Sequence, residues 1–199
     1  MDTAIKIVDE WQQLSSIEKI LNLSNLNLKE LPTIPINCKY LNCEKNSLTS
    51  LPPLPKCEYL MCNSNKLTLL PKLPNCRIIY CDDNELVELP LLPKCRYMHC
   101  FKNKLTVLPD LTHCNTLDCS ENQLTKLPDL PVCYSLFCNN NKLIELPELP
   151  QCQDLDCSDN LLTELPNIPN SDDLICTNNY LLEPPKFPGA WSVTSDFNC

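Results

Sequence analysis

From residue 38 onward the apolar positions of this chain return every 19 residues. Leu, Ile or Met stands at 41, 60, 79, 98, 117, 136, 155 and 174. Cysteine follows at 43, 62, 81, 100, 119, 138, 157 and 176, and a second cysteine series runs through 38, 57, 76, 95, 114, 133 and 152. Asparagine keeps the same interval at 46, 65, 84, 103, 122, 141, 160 and 179. Within one unit, Tyr59-Leu60-Met61-Cys62-Asn63 alternates, so Leu60 and Cys62 point to one side and Tyr59, Met61 and Asn63 to the other. The pattern predicts one short strand per repeat, stacked as the coils of a solenoid into a parallel sheet.

The other half of each unit reads Leu-Pro-x-Leu-Pro, as in Leu51 to Pro55. Proline fixes φ and removes an N–H, which suits neither a helix nor a sheet interior and predicts an extended, polyproline-like return path. A coil of 19 residues is also too short for a strand plus a full helix. The first coil carries one extra residue near Ile36-Asn37, because Leu31 and Leu51 are 20 apart and later intervals are 19.

The ends break the pattern. Ile7, Val8, Trp11, Leu14, Ile17 and Ile20 lie at helical spacing, which predicts an amphipathic capping helix over residues 3–19. Residues 21–28 form a first coil with Leu26 at the asparagine position. Pro184-Pro185 stops the repeat, and Phe187, Trp191, Val193 and Phe197 are expected to form a lid. The expected fold class is a mainly β repeat solenoid, with the sheet on the concave face and an extended convex side. It divides into a helical cap (1–20), eight to nine coils (21–183) and a C-terminal cap (184–199), all one continuous domain.

The stretch Cys57-x-x-Leu60-x-Cys62-x-x-Asn65-x-Leu67 matches L-x-x-L-x-L-x-x-N-x-L, with cysteine at two leucine positions. The chain thus resembles the leucine-rich repeats over roughly residues 21–183. Its Leu-Pro-x-Leu-Pro half-turn resembles the short repeats of bacterial type III effectors, and its cysteine substitution resembles repeat proteins of giant DNA viruses. The resemblance implies that the asparagine side chain sits inside, bonded to backbone groups of neighbouring coils.

Composition narrows the chemistry. A single glycine, Gly189, excludes glycine-rich phosphate loops. No apolar run approaches the ~20 residues of a membrane span, and no secretory h-region is visible at the N-terminus. The expectation is an intracellular, reducing setting, host cytoplasm for a viral protein. Residues 1–100 hold 11 basic and 11 acidic side chains, residues 101–199 hold 5 and 14, so the net charge of −9 belongs to the second half. That argues against nucleic acid or anionic membrane as the main partner. It favours a protein partner, basic where it meets the C-terminal half, bound by a monomer.

The 16 cysteines admit three readings. As small hydrophobes they explain why both series fall at inward positions. Disulfides between coils are sterically open but need an oxidising compartment. Metal or iron–sulfur ligation would use soft thiolates, yet every pair is C-x4-C with no C-x2-C, unlike ferredoxin or structural zinc spacings. The first reading is adopted, with no metal and no cofactor expected.

Function is then sought where the repeat dictates nothing: the outward positions Tyr40, Asn42, Glu44, Tyr59, Met61, Asn63 and their equivalents, among them Asp82, Ser120 and Ser158. The first four coils present Tyr40, Tyr59, Met61, Tyr80, Tyr97, His99 and Phe101; later coils present Phe137, Asp154, Asp156 and Asp173. Clustered Tyr is favoured at interaction hot spots. A calcium site at the aspartates lacks any compact oxygen-ligand loop. No acid–base or nucleophilic set emerges either: His99 and Cys100 are strand neighbours facing opposite ways, as are His113 and Cys114. The expectation is a non-catalytic protein binder. The alternatives are a structural or virion component, or a thiol-based metal or redox protein.

Overall fold

The computed structural model describes residues 1–14, 19–184 and 192–195. Helix α1 (Asp2–Gln13) leads, among the described residues, into ten strands of three residues each. They are β1 (Ile20–Asn22), β2 (Tyr40–Asn42), β3 (Tyr59–Met61), β4 (Ile78–Tyr80), β5 (Tyr97–His99), β6 (Thr116–Asp118), β7 (Ser135–Phe137), β8 (Asp154–Asp156), β9 (Asp173–Ile175) and β10 (Ser192–Thr194). They lie in one sheet in chain order. Neighbours pair in parallel at the repeat interval, as Tyr59 with Ile78 and Leu60 with Ile79. The first step, Ile20 to Tyr40, takes the predicted extra residue.

The return path of each coil contains neither helix nor strand among the described residues. It closes with a tight turn that delivers the first cysteine: the Cys57 N–H donates to Leu54 O at 3.2 Å and the Cys95 N–H to Leu92 O at 3.0 Å. Proline holds the second place of these turns, where its fixed φ fits. In the longer first coil the turn starts one residue later, with the Cys38 N–H on Pro35 O at 2.9 Å.

The core is a set of parallel columns. Leu41, Leu60, Ile79, Met98, Leu117 and Leu136 at the strand centres are fully buried, and so are both cysteine series. All fifteen described cysteines are buried; Cys199 lies outside the described residues. Burial pushes the Cys38 thiol up to about 11. It pushes Cys57 and Cys76 up to about 12, and raises Cys62 and Cys100 well above the ordinary thiol range. Such thiols stay protonated. Several donate S–H to a backbone carbonyl two residues on, as Cys57 Sγ to Tyr59 O at 3.3 Å.

Between the columns runs the asparagine ladder. Asn65 Nδ2 donates to Cys43 O of the preceding coil at 3.0 Å and to Cys62 O at 3.1 Å, while Oδ1 accepts the Leu48 N–H at 2.9 Å. The same triad recurs from Asn84 to Asn179. Leucine replaces asparagine at 26, where no earlier repeat coil offers carbonyls, and it packs on the core instead. The residue before each ladder asparagine is left-handed, from Lys45 (φ 52°) to Asn178 (φ 55°), and none is glycine.

At the N-terminus the helix is shorter than the spacing predicts. It buries Ala4, Val8 and Trp11 and ends at Gln13, with Leu14 already extended at ψ 140°. Ile17 lies outside the described residues, and Ile20 belongs to β1, exposed beside the fully buried Leu21. The strand period therefore holds from residue 20. Trp11 and Lys19 clasp the junction: Trp11 Nε1 donates to Lys19 O at 3.2 Å, Lys19 Nζ donates to Trp11 O at 2.6 Å, and the ammonium sits 4.1 Å from the indole centre. At the far end Val193 is part of β10, which extends the sheet by one rung. The other proposed lid residues, Phe187, Trp191 and Phe197, lie outside the described residues.

Candidate functional site

Because strand register is held coil after coil, the outward residues form straight columns. The first runs Tyr40, Tyr59, Ile78, Tyr97, Thr116, Ser135, Asp154, Asp173. The second runs Asn42, Met61, Tyr80, His99, Asp118, Phe137, Asp156, Ile175. The structure thus brings Tyr40, Tyr59, Met61, Tyr80, Tyr97 and His99 together on β2 to β5.

These side chains touch. The rings of Tyr59 and Tyr80 are 6.0 Å apart, tilted by 50°. Tyr80 stacks on His99 at 4.9 Å. His99 Nδ1 in turn lies 3.9 Å from Asp118 Oδ2. Tyr97 and Phe137 are the most open of the aromatics on this face, at 44% and 38% exposure. Partial burial, and after it the neighbouring Tyr80 and Glu44, raise the phenol pKa of Tyr59, so that hydroxyl stays neutral at physiological pH.

The third position departs from expectation. Asp82, Ser120 and Ser158 are buried, and Phe101 is only partly accessible. The left-handed residues that follow, Asp83, Glu121 and Asp159, turn the chain inward there. Asp118 and Asp156 use this geometry. Asp156 Oδ1 accepts from Ser158 Oγ at 2.6 Å and Ser158 N at 3.0 Å, and Asp118 Oδ1 does the same with Ser120. Asp154 Oδ2 accepts from Ser135 Oγ at 2.8 Å. Of the three predicted acidic contacts, only Asp173 is exposed. The recurring Asp-Cys-Ser of 118–120 and 156–158 was the available signal, since Asp accepting from the backbone two residues on is a common turn device.

No group of three or more His, Cys, Asp or Glu among the described residues is placed to hold a metal ion. His99 stands on the sheet face while the adjacent Cys100 is fully buried. No helix among the described residues is long and apolar enough to cross a membrane.

The architecture has close counterparts among solved structures. Over 98% of its length the chain matches YopM, a leucine-rich effector protein from Yersinia pestis, with a TM-score of 0.75, 26% identity and 71% of that chain covered. This chain is a leucine-rich-repeat solenoid. It matches a Shigella effector LRR domain over 98% of its own length and 89% of that domain, with a TM-score of 0.72 and 29% identity. The functional domain of InlJ from Listeria monocytogenes, which includes a cysteine ladder, matches 75% of the chain with a TM-score of 0.55 and 28% identity, and 41% of that domain is covered. No protein-family model and no curated protein sequence matches the chain. The likeness resides in the repeat geometry, which few positions per coil suffice to specify.

Proposed function

We propose that this leucine-rich-repeat solenoid is a non-catalytic protein-interaction module that takes an extended protein segment along its sheet face. The general role is supported by its likeness to effector repeat proteins. The finer reading rests on one observation: the continuous ring run Tyr59–Tyr80–His99 across three coils, flanked by Met61 and the exposed Tyr97. Rigid amphipathic rings give large contact area at low entropic cost. Asp173 at the far end suits a basic residue of the partner.

The triple variant Tyr59→Ala, Tyr80→Ala, Tyr97→Ala removes this surface without touching the core columns. A partner captured by the wild-type chain should be lost by the variant, with the far-ultraviolet spectrum and thermal midpoint nearly unchanged. Equal capture by both chains would move the site off this face.

A further inference from the structure

One residue ahead of each strand runs a further accessible column that lies outside the inward–outward alternation. It reads Lys39, Glu58, Arg77, Arg96, Asn115, Tyr134. Backbone bonds tie it coil to coil: the Arg96 N–H donates to Arg77 O at 2.8 Å, Asn115 to Arg96 at 2.7 Å, and Tyr134 to Asn115 at 2.8 Å. The chain has two arginines, and both fall here, on adjacent rungs. The preceding turns add Lys94 and His113.

These groups line an open cleft of about 600 Å³, walled by Arg77, Lys94, Arg96, His113, Asn115 and Tyr134 and lacking any carboxylate. Like charges on facing positions of neighbouring strands repel, and here little offsets the repulsion. Among the described residues neither Lys94 nor Arg96 forms an ion pair; Lys94 Nζ donates to the neutral Asn75 Oδ1 at 2.7 Å. Glu58 stands 3.8 Å from Arg77 Nε, but Lys39 holds it more closely at 2.8 Å. In a chain of net charge −9, this is a local concentration of positive charge with a concave shape, offset only in part by Glu58.

We infer that this cleft binds a phosphate monoester carried on a peptide. A guanidinium offers a planar fork that matches phosphate oxygens bidentately, and two of them on adjacent rungs line the same cleft. Pro93, Val132 and Tyr134 supply an apolar shoulder for the side chains flanking the phosphorylated residue. A nucleic acid fits less well. Its repeated charges would run along the coils, where the same column ends in Gln153 and Asp172, and polyanion binding needs an extended basic footprint. This site is distinct from the ring run on the sheet face, and neither reading depends on the other.

The test uses the full chain and a degenerate heptapeptide library with a central phosphoserine, phosphothreonine or phosphotyrosine, beside the same library unphosphorylated. The phosphorylated pool should be enriched, and the selected peptides should bind about tenfold or more weakly to Arg77→Gln and Arg96→Gln, as expected for losing a charge-assisted hydrogen-bond pair. Arg96→Lys should recover only part of the loss, because charge remains while the fork is gone. Both arginines are exposed, so their thermal midpoints should match wild type; Lys94→Gln serves if one variant misfolds. The tyrosine triple variant should bind the phosphopeptides normally. The inference fails if the phosphorylated pool is not enriched, if the glutamine variants bind as wild type, or if a single-stranded oligonucleotide of comparable length outcompetes the peptides.

Discussion

At each ladder position a single asparagine amide does what leucine at the same place could not. Asn103 Nδ2 donates to Cys81 O and Cys100 O at 3.1 Å each and to Phe101 O at 3.2 Å, and its Oδ1 accepts the Leu86 N–H at 2.9 Å. Asn103→Ala leaves those groups unpaired inside the protein, a loss expected to reach about 3 kcal/mol in urea unfolding. Asp82 offers a test of the opposite sign. Burial is the main cause that raises its carboxyl pKa above the ordinary 3.8, with Asp118 and Asp83 adding to it and His99 opposing. A raised carboxylate pKa means that the folded state binds the proton more tightly than the unfolded state. The penalty is absent below the ordinary range and sets in as pH rises through the raised value. Asp82→Asn should therefore melt higher than wild type at pH 7, with the gap closing near pH 3. A gap that does not change with pH would point to packing instead.

Among the elements, the strands were legible in advance because alternation and period coincide. Leu60 inward between Tyr59 and Met61 is stated by five residues of sequence. The helix end was not legible. The apolar spacing of Leu14, Ile17 and Ile20 continues the helical pattern, yet Ile20 is needed in β1, where pairing with Tyr40 fixes it outward. Nor was β10, since Ser192-Val193-Thr194 carries neither the cysteine nor the asparagine of the repeat. Helix α1 packs against β1, and Trp11 is the largest of its three buried residues. Trp11→Ala should cost roughly 3–5 kcal/mol. Amide exchange should speed up first in β1 and β2; uniform acceleration along the sheet would mean that the helix does not act as a local cap.

For the whole molecule, each strand pairs only with its neighbours in the chain, so stability is passed from coil to coil. The fifteen ladder cysteines report on this directly, because all are buried. Maleimide labelling of the native chain should leave them unmodified. With rising denaturant, Cys38 and Cys43 should label before Cys100 and Cys119, as local opening starts at the ends. Simultaneous labelling would show a single cooperative unit.

The sequence by itself determined the coil: its 19-residue length, one strand per turn, inward cysteines and an asparagine at each step. Each of these is a local periodicity, and repetition removes its ambiguity. Only the tertiary structure decided which accessible residues become neighbours. It withdrew Asp82, Ser120 and Ser158 from the surface and engaged Asp156 in its own turn. It also set Arg77 and Arg96 beside His113 and Tyr134 in one cleft. The physical reason is that exposure at these positions depends on the left-handed turn after each strand and on the coil stacked beside it, and a single repeat read alone contains no neighbour.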